Sequence, residues 1–215
     1  MYLPAHFAEH DAARLRAAMR DHPFATLVSE GPHGPVADHL PLLVAEDGDG
    51  MVLRGHVARA NPLWRAHPPA REVLAIFHGP QHYVSPAWYP TKREHGKVVP
   101  TWNYLAVHAH GTLRAADDAD WLLDLLRELT DTHEAGFALP WRIDDAPRDY
   151  LAKMLGAIVG IEIRVTRLEG KAKFSQNQPA ENRAGVAAGL RALGTEQAGD
   201  TADWVERLSP KADAG

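Results

Sequence analysis

Two tight-turn signals, Gly31-Pro32-His33-Gly34 and Asp47-Gly48-Asp49-Gly50, cut the early part of this chain into short apolar runs. Gly and Asp-Gly at such points reverse the chain between neighbouring antiparallel strands. A parallel pair would instead need a crossover of about a dozen residues or more, usually a helix. Alternating βαβ units are therefore excluded here. The runs Phe24–Ser29, Val36–Val44 (interrupted at Pro41) and Met51–His56 read as an antiparallel meander. A helix over 11–20 precedes it. Asp11 can cap this helix, Leu15 and Met19 share a face, and His22-Pro23 stops it.

Downstream, Ala58–His67 reads as a short helix with Asn61 as cap and Pro62 at the first helical position. Strands are expected at Glu72–Phe77 and His82–Val84, within Val98–Arg114, and at Ile158–Leu168. In the last of these, Ile161, Ile163 and Val165 alternate with Glu162, Arg164 and Thr166, as in a half-buried strand. Helices are expected at Asp120–His133, at Pro147–Leu155 and from Pro179 to about Leu208. The fold class is α+β and mainly β: an antiparallel split β-barrel with peripheral and C-terminal helices. It forms one domain over residues 1–208, followed by a polar tail over 209–215.

Composition narrows the chemistry. The 215 residues are 45% hydrophobic and 24% charged, as in ordinary globular chains with a sizeable core. The absence of cysteine excludes disulfides, thiolate metal sites and thiol nucleophiles. A net charge of −5 supplies no global attraction to nucleic acid or anionic membrane. No apolar segment approaches the roughly 20 residues that span a bilayer, and the start lacks a secretory pattern. A cytoplasmic protein is expected. Dinucleotide, P-loop, nucleophile-elbow and His-Glu-x-x-His motifs are missing. No helix-turn-helix is assignable.

Of the 13 histidines, His22, His33, His67 and His95 sit beside turn residues and read as solvated. His108 and His110 fall on one face of a strand, the spacing a metal pair needs. With no third ligand evident they are read as two histidines hydrogen-bonded at a barrel mouth or interface, candidates for ligand contact along with His56, and no metal is expected.

Three segments carry possible binding chemistry. Arg54 to Asn61 joins a strand end to a helix start. Free backbone N–H groups and two arginines there could hold an anion, or the arginines could pair with nearby acids on a surface loop. Val84–Tyr89 and Pro100–Tyr104 are rich in aromatics and amides. They could wall a flat ring or fill a core. Lys171–Asn177 offers cations and amides to an anionic ligand, or forms an exposed loop.

Several ordered segments then coincide with one family. They are Met1–Pro4, His22–Ser29, His39–Leu42, Leu53–Pro62, Val99–Tyr104, His133-Glu134, Pro140-Trp141, Leu168–Lys171 and Ser175–Asn177. Over about residues 1–190 the chain resembles the PaiB-type FMN-binding negative transcriptional regulators. The resemblance implies an FMN-binding split β-barrel, a homodimer with flavin sites at the subunit interface, and regulation of transcription. It places the FMN phosphate with Arg59 and Asn61, helped by Arg54 and His56. It places Thr101, Trp102 and Asn103 beside the isoalloxazine, with Lys173, Gln176 and Asn177 reaching across from the partner chain. Ala172, Phe174 and Gln178 stand where the family often has Trp, Leu and Arg, and His110 where Tyr is expected. No catalytic residue is assigned. The alternatives are a flavin-dependent oxidoreductase or a binder of haem or another flat ligand. DNA is a possible partner, although no basic stripe is evident.

Overall fold

A computed structural model describes residues 1–48, 50–66 and 72–209. His67, Asp49 and the tail beyond Ser209 lie outside the described residues. The strands are β1 (Ala8–Glu9), β2 (Phe24–Gly31), β3 (Gly34–Pro41), β4 (Leu43–Asp47), β5 (Gly50–Ala58), β6 (Glu72–Val84), β7 (Thr101–Ala116) and β8 (Ile158–Lys173). The helices are α1 (Ala12–Asp21), α2 (Leu63–Ala66), α3 (Lys92–His95), α4 (Ala119–Glu134), α5 (Arg148–Leu155), α6 (Ala180–Arg191) and α7 (Glu196–Arg207). The sheet has eight strands in the order β3-β2-β6-β7-β8-β5-β4, with β1 added on β8. Among the described residues this path does not close on itself.

Both hairpins form where the glycines predict. Gly31 pairs with Gly34 across β2 and β3, and Asp47 pairs with Gly50 across β4 and β5. Gly34 and Gly50 take φ of 120° and 137°, where side-chain-bearing residues are strained. The strand expected over Val36–Val44 is two strands. β3 ends at Pro41: Leu42 N–H still donates to Pro23 O in register at 2.9 Å, but Pro23 has no N–H to return the bond, and the chain passes into β4. Two other strands run further than local pattern allows. β6 continues through Gly79-Pro80, where the Leu105 side chain fills the space a Cβ on Gly79 would need. β8 continues to Lys173 because β1 pairs with its end, Ala8 opposite Lys171 and Glu9 opposite Gly170.

The chain groups into two compact units, and β6, β7 and β8 each contribute residues to both. One unit holds Met1–Ala18, His78–Val107 and the chain from Glu169 onward. Its core includes Phe174, Val186, Leu190 and Val205, all buried. Phe174 stacks on Trp204 of α7, with ring centres 5.3 Å apart and planes at 16°. Gly185 and Gly189, one turn apart on α6, lie against the backbone and ring of Trp88. The other unit holds Met19–Phe77 and His108–Leu168. Leu27, Leu42, Leu53, Ile161 and Ile163 are buried in it. Asp118 caps α4 by accepting from Trp121 N–H at 2.8 Å, and Leu125 and Leu129 of that helix pack with Leu43.

Candidate functional site

Arg54, His56, Arg59 and Asn61 fall on β5 and the turn after it. Of the helix expected over Ala58–His67, the described residues show α2, a single turn starting at Leu63, and His67 lies outside them. One turn gathers little dipole. Asn61 is its cap as expected, with Oδ1 accepting from Leu63 N–H at 2.8 Å and Nδ2 donating to Asp38 at 2.7 Å. Arg59 forks onto Asp117 at 2.6 and 2.9 Å and also donates to Gly156 O and Ile158 O. The two best phosphate candidates are thus each beside a carboxylate. Hydrogen bonding by Asp117 raises the Arg59 pKa, and Arg59 in return lowers that of Asp117. Gly55 does not open the backbone to a ligand: a Cβ there would meet Leu42 Cδ2 and Pro41 O, both at 2.9 Å.

Arg54 donates from Nε to Glu162 at 2.8 Å, and Arg114 donates from Nε to the other oxygen of Glu162, also at 2.8 Å. Alternation along β8 marks Glu162 as polar and outward, yet it is 3% exposed. The two guanidiniums explain how a buried carboxylate is tolerated. Burial pushes its pKa up, but the hydrogen bonds from Arg54 and Arg114 outweigh it and hold the group below its ordinary value of 4.5. A folded-state pKa below the unfolded one adds stability above the unfolded value, and that stability fades as pH falls through the folded value. Glu162→Gln is expected to cost about 1–2 kcal/mol at pH 7, given that Arg114 is largely exposed. It should also flatten the loss of stability below about pH 4.5. Urea unfolding at pH 7 and pH 4 checks both. His56, also on β5, has its Nδ1 buried without a hydrogen-bond partner, and burial lowers its pKa.

The other candidates lie in the unit that contains the chain ends. A cavity of about 160 Å³ is lined by Phe7, Tyr89, Val99, Pro100, Thr101, Asn103, Lys173, Ser175, Asn177 and Gln178. Four residues marked from sequence, Thr101, Asn103, Lys173 and Asn177, therefore meet at one place. Lys173 Nζ donates to Thr101 Oγ1 at 2.5 Å. Asn103, fully buried, exchanges hydrogen bonds with Ser175 at 3.1 and 3.2 Å. Ser175 has a φ of 65°, the single non-glycine residue with positive φ among those described. A left-handed residue held by a buried side-chain pair marks a place where the fold accepts strain. Burial lowers the Lys173 pKa; Tyr104 nearby opposes this in part, and the charge of Lys171 adds to it.

Two candidates sit differently. Strand alternation puts Trp102 on the opposite face from Thr101 and Asn103. Trp102 is half exposed, with its ring edge-on to Tyr83 at 6.2 Å. Gln176 closes the end of β8, accepting from Phe174 N–H at 2.7 Å and donating to Ala172 O. Phe7 and Gln178 were not singled out as ligand contacts. Phe7 arrives through β1 pairing, a long-range event with no local sequence signal. His108 and His110 have ring centres 6.4 Å apart.

The family model described as "Putative FMN-binding domain" matches residues 1–167. A protein of Emericella nidulans is 36% identical over 91% of this chain and 92% of its own. The Bacillus subtilis protease synthase and sporulation protein PAI 2 is 34% identical over 83% of each chain. Among solved structures, the FAD and heme binding protein from Mycobacterium smegmatis superposes with a TM-score of 0.59 at 20% identity, covering 85% of this chain and 80% of that one. The flavocytochrome Anf3 from Azotobacter vinelandii gives the same TM-score at 16% identity, covering 78% and 69%. These likenesses carry the fold, a split barrel of the kind found in flavin-binding proteins. The family model and the sequence relatives carry membership: this chain belongs to the FMN-binding domain family, and FMN is its cofactor.

Proposed function

We propose that this protein is a homodimeric FMN-binding flavoprotein of the PaiB type with a regulatory role, and that Thr101, Asn103, Lys173 and Asn177 present its polar ligand surface. The observation that supports this reading is their convergence on one cavity whose lining contains hydroxyls, amides and an amine but no carboxylate. That donor set suits a ligand rich in carbonyl and anionic oxygen, as FMN is. At about 160 Å³ the cavity fits one polar end of such a molecule rather than the whole ring system. FMN, when bound, supplies an electron-accepting ring. The chain's own part is to bind and orient. Thr101 and Asn103 hydrogen-bond, Lys173 adds positive charge, and the Asn103–Ser175 pair keeps the floor rigid.

The phosphate is assigned to the turn at Arg59 and Asn61, with Arg54 and His56 nearby. Arg59 reaches it by exchanging Asp117 for the phosphate, which keeps its fork geometry. Arg59→Ala is then expected to weaken FMN binding about tenfold, while Asp117→Asn, which frees the guanidinium, should tighten it. Fluorescence titration of flavin-free protein with FMN measures both. Unchanged affinity in the two variants would refute the phosphate assignment, and no flavin binding by the wild type would refute the whole reading.

The regulatory role rests on the family resemblance and on the relative named for protease synthesis and sporulation. Net charge of −5 supports regulation through the flavin rather than through a broad DNA-binding face. A gel shift on the gene's own promoter, with and without FMN and at two salt concentrations, tests for direct contact.

A further inference from the structure

We infer that the Lys173 cavity is an oxyanion subsite, built to take the carboxylate or phosphate group of a small molecule. Three observations carry it. First, the charge is one-sided. Lys173 is half buried, makes no ion pair among the described residues, and shares the cavity with no acid. A lysine on a protein surface is normally answered by a carboxylate or by bulk water, and here it has neither in full. Of its three donors, one is directed at Thr101. Lys171, on the same side of β8, does not line the cavity: it donates to Tyr2 O at 3.0 Å and lies over the Tyr2 and Tyr104 rings, so Lys173 is the cation of the subsite.

Second, the floor is built. Asn103 is fully buried and Ser175 is 3% exposed, and they are hydrogen-bonded to each other across one end of the cavity. Ser175 holds a left-handed backbone to do so. Third, the size selects. Taking about 30 Å³ per water, the cavity has room for about five waters, which matches a carboxylate or phosphate group with a short stem. The turn at Arg59 lacks this one-sidedness, because Asp38 and Asp117 already stand beside Asn61 and Arg59.

The group has two possible sources, the phosphate of FMN itself or an anionic reaction partner of the bound flavin. Both sources revise the FMN reading above, the first by moving the phosphate from the Arg59 turn and the second by giving Lys173 to a partner of the flavin rather than to the flavin. The second source rests on FMN binding, and the subsite itself does not. In flavin-free protein, inorganic phosphate or acetate should saturably protect Lys173 from reductive methylation, read by mass spectrometry, while Lys92 and Lys97 remain unprotected. FMN and riboflavin affinities are then compared in wild type, Lys173→Met and Lys173→Arg. A loss of ten- to a hundredfold for FMN alone in Lys173→Met, with recovery in Lys173→Arg, assigns the cavity to the flavin phosphate and moves it from the Arg59 turn. Unchanged FMN affinity, with anion-dependent change in the bound flavin's absorption that Lys173→Met abolishes, assigns it to a reaction partner. Protection without any FMN binding keeps the subsite and overturns the FMN reading. No protection by either anion overturns the subsite.

Discussion

Gly185→Ala is expected to lower the stability by about 2–3 kcal/mol, against what helix propensity alone dictates. Gly185 lies inside α6, where replacing glycine by alanine normally gains up to about 1 kcal/mol. Here a Cβ would sit 2.1 Å from Trp88 O and 3.1 Å from Pro90 Cδ. The first contact is with backbone, which has no rotamer to escape into, so either the helix or the Trp88 turn must move. Such overpacking typically costs about 1–3 kcal/mol, and a backbone clash falls at the upper end. Gly199 is the control. It lies inside α7, and a Cβ added to it would meet nothing within 4 Å, so Gly199→Ala should stabilise by up to about 1 kcal/mol. Opposite signs in urea unfolding of the two variants are the expected result. Stabilisation by both would mean that α6 does not press on Trp88.

Phe174→Ala should cost more, about 3–5 kcal/mol. Phe174 is fully buried and stacked on Trp204. Its removal takes away the transfer energy of a large ring, the stacking contact and the packing of neighbours around the void. Phe174→Leu keeps most of the volume and should cost less than half as much. Thermal unfolding followed by tryptophan fluorescence measures both, since Trp204 reports on the partner ring. A loss under 1 kcal/mol for the alanine variant would place Phe174 outside the packed core.

Much of the fold was legible because its first constraint is local. Glycines at 31, 34 and 50 fix two hairpins wherever the rest of the chain goes. The elements that escaped are those decided at long range. β8 runs to Lys173 because β1 pairs with its end, and nothing near Lys171 announces that partner. The turn ahead of α2 is likewise fixed at long range, with Arg59 drawn onto Asp117, Gly156 and Ile158, all far along the chain.

For the site, residue type was informative and orientation less so. Chemistry alone marks the segments Pro100–Tyr104 and Lys171–Asn177. The resemblance picks out Thr101, Asn103, Lys173 and Asn177 within them, with the last two expected from a partner chain, and the four share a cavity within one chain. Trp102 was picked with them, although strand alternation alone turns it to the other face. Glu162 was passed over for a related reason. Its polar neighbours suggested solvent, while the two arginines that bury it, Arg54 and Arg114, come from other strands.

The end of β8 carries two unrelated demands on alternate residues. Ala172 and Phe174 are buried, and Lys171 and Lys173 are only partly so. Change at the even positions therefore acts first on packing, and Ala172 and Phe174 stand where the resemblance noted above implies Trp and Leu. Of the odd positions, Lys171 is held by Tyr2 O and by the Tyr2 and Tyr104 rings, and Lys173 is the one that lines the cavity. A change at Lys173 thus alters the cavity lining while the packing of Ala172 and Phe174 stays in place, so neighbouring positions of one short segment answer to different constraints.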